Sequence, residues 1–210
     1  MRTVIQIALI LAAIGLTWKI YDSVNHPIQF EREKKVRYAE VVDRLKDIRK
    51  AQVAFKDVNG RYTSSFDTLI DFVKNDSLPF VLKIGTLTDS MIELGWNEEK
   101  AIKKGAIVRD TIRVNVLDTV FGRNFNVDQI KMVPAGKPGA MFTMGATEIT
   151  TGSGVKVKVF EARVHNNTYL EGLDQQLIIN MNEQARKNEK YPGLKVGSMT
   201  EANNNAGNWE

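Results

Sequence analysis

The sequence has no cysteine among its 210 residues. This absence excludes disulfide bonds, thiolate metal sites and thiol catalysis, and it leaves both the cytoplasm and an exported location open. The two histidines, His26 and His165, lie far apart in the sequence, without a nearby cluster of carboxylates. The sequence also has no metalloprotease helix motif, nucleophile elbow or complete phosphate-binding loop. We therefore predict a non-enzymatic protein with no catalytic residues.

The sequence also lacks a large excess of charge of either sign. It has 29 lysines and arginines and 25 acidic residues, which gives a formal net charge of +4. Basic and acidic residues are interleaved, as in residues 44–47, which read RLKD. A nucleic-acid-binding protein usually concentrates its basic residues on one face. We therefore expect no nucleic-acid partner. The hydrophobic content of 43% and the charged content of 26% are those of an ordinary globular protein.

One long apolar run is present near the N-terminus, where residues 4–18 read VIQIALILAAIGLTW. As a helix this run spans about 22 Å, which is less than the roughly 30 Å of a bilayer core. Trp18, Lys19 and Tyr21 extend the span, because their side chains suit the membrane interface. We predict a transmembrane anchor over residues 1–25, with membrane contact through residues 3–21. The alternative is a cleaved signal peptide, but no small-x-small cleavage site follows the run.

The orientation of the anchor rests on two opposing patterns. The basic residues after the anchor favour a cytoplasmic domain by simple count, although long domains translocate despite such charge. Against this, half of the twelve aspartates are followed by Ser or Thr and then an apolar residue. This tripeptide resembles the acceptor motif of an O-glycosylation system that modifies exported proteins in one group of Gram-negative bacteria. Coincidence is the alternative, since Ser and Thr accompany Asp at turns.

We therefore expect a single-pass inner-membrane protein whose C-terminal domain lies in the periplasm. The candidate O-glycosylation sites are Ser23, Thr68, Ser77, Ser90, Thr111 and Thr119.

The rest of the chain, residues 26–210, is predicted to form one soluble α+β domain. Pro27 predicts a bend after the anchor, and apolar residues at spacings of three and four predict a long amphipathic helix over residues 28–56. An inserted αβ region follows over residues 63–105 and includes a helix expected from about Asp89 to Lys103. Alternation of apolar and polar residues predicts an antiparallel sheet over residues 106–165, including a strand at 129–133. A helix over residues 172–189 and an irregular loop over residues 191–210 complete the domain, with the long helix packed on the sheet.

Three segments carry a resemblance to a known family. Residues 48–62 read IRKAQVAFKDVNGRY, a small-residue-rich helix end followed by N-G-R-Y, and residues 66–72 predict a short helix after it. Residues 206–209 read AGNW. Together these segments resemble the type IV pilin and type II secretion major pseudopilin family. The resemblance implies a pilin-like fold and contacts with other envelope or secretion proteins, or with further copies of the chain itself. It also implies that Trp209 packs on the domain and holds the C-terminal tail in place.

The chain also diverges from this family. It lacks the prepilin peptidase site and the glutamate that follows it in the family's helix, and Thr63 stands where the family has proline. Major pseudopilins bind calcium through aspartates in a C-terminal loop, and Glu201, Asn203 and Asn205 stand in that loop here. Because calcium prefers charged oxygen ligands, we expect weak calcium binding or none, and no other cofactor.

Three functional hypotheses remain at this point. The first is a pilin-like, membrane-tethered protein that acts by protein–protein contacts in an envelope or secretion assembly. The second is a membrane-tethered periplasmic module, unrelated to pilins, that binds a ligand through its sheet or its C-terminal loop. The third, which the absence of a catalytic motif disfavours, is a cytoplasm-facing enzyme or regulator.

Overall fold

The structure, a computed structural model, describes residues 2–210, except for the side chains of residues 2–5, 7, 8 and 22. The helices are α1 (Arg2–Asn59), α2 (Phe66–Asn75), α3 (Asp89–Glu93), α4 (Glu98–Lys103), α5 (Val116–Val120), a 3-10 turn (Val127–Lys131), α6 (Asn166–Tyr169) and α7 (Gln175–Lys187). The strands are β1 (Ser77–Ile84), β2 (Val108–Asn115), β3 (Thr143–Thr150), β4 (Lys156–His165) and β5 (Gly193–Gly197). The predicted α+β class, with a long N-terminal helix and antiparallel sheets, is confirmed.

Helix α1 is continuous from Arg2 to Asn59 and passes through Pro27. The predicted long helix over 28–56 is therefore the second half of one longer helix, and the bend expected at Pro27 does not end it. Proline removes one backbone hydrogen bond from a helix interior, and α1 continues through this gap. The helix ends at the predicted Asn-Gly turn, where Gly60 adopts a left-handed φ of 67° and its N–H bonds the Lys56 carbonyl.

The second half of α1 forms the centre of the core. Most of its buried residues recur at spacings of three and four, and the buried set is Phe30, Val41, Val42, Leu45, Ile48, Ala51, Gln52, Ala54 and Phe55. This stripe packs against β4 and β5 on one side and against α2 on the other. The ring of Phe55 meets the ring of Phe72 on α2 edge to face, with 5.1 Å between centroids. The amphipathic pattern of residues 28–56 thus marks the buried face of the domain.

The strands form two separate antiparallel sheets. Strands β3, β4 and β5 form one sheet in that order, and β1 and β2 form a two-stranded ribbon. This corrects the prediction of a single sheet over residues 106–165, because β2 pairs with β1 from the region expected to be an insertion. The strand expected at residues 129–133 is instead a 3-10 turn over Val127–Lys131. Short alternating segments do not by themselves reveal which strand is the partner.

Two predicted helices have different bounds in the structure. The helix expected from Asp89 to Lys103 is divided into α3 and α4, because Gly95 takes a left-handed φ of 70° and the Asn97 side chain caps α4. The helix expected over 172–189 is α7, which begins after Asp174, whose carboxylate accepts a hydrogen bond from the Leu177 N–H at 2.8 Å.

The turn after α1 is fixed by a buried side chain. Gln52 is fully buried, and its amide donates to the Thr63 carbonyl at 2.6 Å and accepts from the Thr63 N–H at 3.1 Å. Thr63 supplies both backbone partners, whereas a proline at this position has no N–H and could supply only the carbonyl.

Candidate functional site

The N-terminal part of α1 projects from the folded domain. Phe30 is the first residue of α1 with a buried side chain among those that the structure describes. Just before it, His26 Nδ1 lies 3.3 Å from Asp174 Oδ2 at the start of α7. Large apolar side chains are exposed along this segment at Leu9, Ile10, Leu11, Ile14, Leu16, Trp18, Ile20, Tyr21, Val24 and Ile28. A contiguous apolar surface of this extent marks a contact with a protein or a membrane.

The same segment carries the predicted membrane anchor, residues 3–21. Over the described residues, the structure contains no helix that is both long and apolar enough to cross a membrane. The side chains of residues 3–5, 7 and 8 of the predicted anchor lie outside the described residues.

The C-terminal segment is ordered by a strand and an edge closure. Residues 193–197 form β5, so the irregular loop predicted over residues 191–210 begins only after Gly197. Asn208 then pairs with the free edge of β5: its N–H bonds the Lys195 carbonyl and its side-chain oxygen accepts from the Lys195 N–H, both at 3.0 Å. The side-chain amide of Asn208 also donates to the Gly193 carbonyl at 2.9 Å. The tail thus covers an edge that would otherwise be open for pairing.

Trp209 follows this closure and packs, partly buried, against the core, as predicted. Its indole ring lies against Gly207, where an added Cβ would come within 2.4 Å of ring atoms. Because glycine has no Cβ, residue 207 leaves room for the indole ring of Trp209 beside the backbone.

Each of the three calcium-loop candidates makes a hydrogen bond within the domain. Asn205 donates its amide to the Tyr62 hydroxyl at 2.9 Å, and Asn203 donates to the Ala206 carbonyl at 3.3 Å. Glu201 is exposed, and its N–H bonds the Ser198 hydroxyl at 3.3 Å. Among the described residues, no three His, Cys, Asp or Glu side chains lie close enough to hold a metal ion. These hydrogen bonds attach the loop to Tyr62 and to its own backbone.

An ion pair joins the end of the chain to α1. Arg49 Nη1 lies 2.7 Å from Glu210 Oε1, and the backbone carbonyl of Asn205 accepts a second bond from the same nitrogen at 3.3 Å. The hydrogen bond from Arg49 lowers the pKa of the Glu210 carboxyl below its usual 4.5.

This ion pair predicts a pH dependence of tail docking. Because the pKa of Glu210 is lower in the folded state, its contribution is present above about pH 4.5 and is lost as pH falls through the lowered folded-state value. Because the pair is exposed, we expect only a small shift of the Trp209 emission in acid, measured in a chain carrying Trp18→Phe and Trp96→Phe. Glu210→Gln should remove this transition, and an unchanged midpoint in that variant would contradict the assignment.

A cleft of about 650 Å³ lies between α1, α7 and β5. Tyr38, Tyr191, Lys190 and Lys195 are among its lining residues, together with several amide side chains. At its base, the Tyr169 hydroxyl donates to Asn166 Oδ1 at 3.0 Å, and burial raises the pKa of this tyrosine. The cleft therefore offers hydrogen-bonding groups and ammonium groups, the chemistry that holds a polar or anionic ligand.

The six candidate glycosylation residues are dispersed over the fold. Ser23, Thr68, Ser90, Thr111 and Thr119 are exposed, on α1, α2, α3, β2 and α5 respectively. Ser77 is half-buried at the start of β1. Exposure is a requirement for a bulky surface modification, and the structure does not bring these residues together into one site.

Sequence reasoning missed a second exposed apolar surface. On the ribbon, residues paired across the two strands point to the same face. The pairs Leu78–Val114, Phe80–Ile112, Leu82–Asp110 and Ile84–Val108 share one face. We call this set the apolar face of the ribbon, although it includes one aspartate. Alternation within residues 78–84 and 108–114 is the sequence signal that marks this surface.

Comparison with protein-family models, with curated proteins and with solved structures finds no match for this chain.

Proposed function

We propose that this chain is a non-enzymatic, single-pass inner-membrane protein with a pilin-like domain in the periplasm. The domain acts by protein–protein contacts in an envelope or secretion assembly. The observation that carries the proposal is the projecting half of α1, in which a continuous helix presents apolar side chains from Leu9 to Ile28 beyond the folded domain. Such a helix is the form that a membrane tether takes, since all its backbone groups are bonded within the helix.

The arrangement of the domain supports the pilin-like part of the proposal. The second half of α1 packs on the sheet of β3, β4 and β5, and the Asn59-Gly60 turn leads into the short helix α2. The tail then closes on β5 and reaches back to Arg49 on α1. This order of long helix, turn, short helix and antiparallel sheet is the order that the family resemblance implies.

The membrane tether and the periplasmic location can be tested with one pair of fusions. Alkaline phosphatase, which is active only in the periplasm, is fused after Glu210, and a cytoplasm-specific reporter is fused in a second chain. We expect phosphatase activity in the membrane fraction, and no activity when residues 2–25 are deleted. Activity of the cytoplasmic reporter, or phosphatase activity that stays soluble in the full chain, would contradict the proposal. A mass increase at Thr68 or Ser90 would be an independent mark of export.

The cleft supports a second candidate function, that of a membrane-tethered periplasmic ligand-binding module. Lys190 and Lys195 approach it from the C-terminal segment, and Tyr38 approaches it from α1. Citrate can serve as an anionic probe of this site. If the cleft is the functional site, citrate should raise the melting temperature of the wild-type chain and not that of Lys190→Glu. Equal shifts in the two chains would remove this candidate.

A further inference from the structure

The exposed apolar side chains of the domain are concentrated on residues 77–115, the ribbon and the segment that connects its strands, which we call the β1–β2 arm. Those on the arm are Phe80, Val81, Leu82, Ile84, Ile92, Leu94, Val108 and Ile112. Outside the arm and the projecting half of α1, exposed large apolar residues are scattered singly. A clustered apolar surface of this kind marks an interaction site.

The two faces of the ribbon carry different chemistry. The apolar face contains Phe80, Leu82, Ile84 and Ile112, with Asp110 as its one charged residue. The opposite face carries three basic residues, Lys83, Arg109 and Arg113, together with Pro79, Val81 and Thr111.

Glu98 on α4 forms ion pairs with Lys83, at 2.9 Å, and with Arg109, at 2.8 Å. These two pairs lower the pKa of Glu98, with the hydrogen bond from Lys83 as the larger cause. Within the described part of the chain, Asp110 and Arg113 take part in no ion pair. Asp110 on the apolar face and Arg113 on the opposite face are thus available for ion pairs with a partner protein.

The ribbon lies too far along α1 for its apolar face to contact the bilayer that would hold the N-terminal part of this helix. The ribbon follows α2, which packs on Phe55, and Phe55 lies 34 residues beyond Tyr21 along α1. That separation corresponds to roughly 50 Å of helix. A strand of eight residues extends about 27 Å, so the apolar face does not reach the membrane surface.

A symmetric pair of ribbons is also disfavoured. Packing two apolar faces together would bury two Asp110 carboxylates without a cation, which is costly because neither charge is compensated. The strand edges differ as well. Pro79 removes a backbone donor from β1, whereas β2 has no proline and offers a complete edge.

We propose that the ribbon is the docking site for an extended segment of another protein, which adds as a strand along β2. The segment carries apolar side chains beside Val108 and Ile112, a lysine or arginine beside Asp110, and an acidic residue beside Arg113. Backbone bonds along the edge supply affinity and the side chains supply specificity, as in other strand-addition complexes. The inference rests on the proposed function, in which the domain acts by protein–protein contacts. It adds the chemistry of one such partner.

The test uses the full chain in detergent micelles and two labelled peptides of the same composition. The matching peptide, Val-Glu-Val-Thr-Lys-Thr-Val, places Lys opposite Asp110 and Glu opposite Arg113 when it runs antiparallel to β2. The swapped peptide, Val-Lys-Val-Thr-Glu-Thr-Val, exchanges the two charges. We expect the matching peptide to bind at least about tenfold tighter by fluorescence anisotropy, a difference of roughly 1.4 kcal/mol.

The double variant Asp110→Lys/Arg113→Glu should reverse this preference. A matched charge exchange on α7, Glu183→Lys/Lys187→Glu, should leave it unchanged. All four positions are exposed, and unchanged melting of each variant checks that it folds.

Equal affinity for the two peptides, binding of neither, or a preference that the Asp110→Lys/Arg113→Glu variant keeps would overturn the proposal. Self-association of the wild-type chain that Ile112→Lys abolishes would also overturn it, in favour of a second copy as the occupant. The peptide measurement needs no membrane, so its failure is distinct from a failure of the tether, which the reporter fusions measure separately.

Discussion

Replacing Phe55 with alanine should lower the free energy of unfolding by about 3–5 kcal/mol, the range for removing a buried aromatic side chain. Phe55 is 5% exposed and lies in the core between α1 and α2. Alanine would leave a cavity beside Phe72 and would remove the edge-to-face contact between the two rings. Denaturant unfolding of the full chain in micelles, followed by circular dichroism, measures the loss.

A control in the same helix separates core packing from helix propensity. Val58 lies less than one turn further along α1 and is 40% exposed, so Val58→Ala should change the free energy of unfolding by less than about 0.5 kcal/mol. If Phe55→Ala were as mild as Val58→Ala, the buried stripe of α1 would face something other than the core of this domain.

The stripe itself could be predicted from the sequence, and the reason is physical. A helix repeats every 3.6 residues, so Leu45, Ile48 and Phe55 fall on one face whatever packs against it. The Asn59-Gly60 turn could be predicted too, because glycine adopts the left-handed conformation that ends a helix. These features depend on the local chain, and the local chain is what a sequence displays.

The pairing of the strands could not be predicted in the same way. Strand β1 meets β2 across the 23 residues that separate Ile84 from Val108, and β5 joins β4 from a segment that looked irregular. Strand β5 is five residues long with glycine at both ends, so its alternation is too short to read. Its stability comes from β4 on one side and from Asn208 on the other, and neither contact is local.

The same distinction explains the candidate sites. The apolar run of the projecting helix is visible in the sequence because it is continuous, and it led directly to the proposed tether. The apolar face of the ribbon is formed by two strands, and the sequence shows only the alternation within each strand. That the two halves make one surface, with Asp110 opposite Leu82, follows from the pairing in the structure. The partners of the calcium-loop residues are not visible in the sequence either, because Asn203 donates to the Ala206 carbonyl and Asn205 donates to the Tyr62 hydroxyl, far away in the chain.

Deleting Asn208–Glu210 should lower the free energy of unfolding by about 2–4 kcal/mol. Asn208 makes three hydrogen bonds with β5, each contributing about 0.5–1.5 kcal/mol. Trp209 covers apolar surface of the core, and burial of a large side chain contributes about 1.5–3 kcal/mol, of which a partly buried ring supplies a share. The deletion also leaves the edge of β5 open, so the variant should aggregate more readily.

Two single substitutions divide this effect into its parts. Gly207→Ala should displace the indole of Trp209, because the new Cβ would overlap ring atoms, and should reproduce much of the loss without removing a residue. Glu210→Gln removes only the exposed ion pair with Arg49 and should have a small effect at neutral pH. If the deletion and Gly207→Ala both left the unfolding midpoint unchanged, Trp209 would not be holding the tail on the domain. The docked Trp209 that the resemblance to pseudopilins implies would then make no contribution to the stability of the domain.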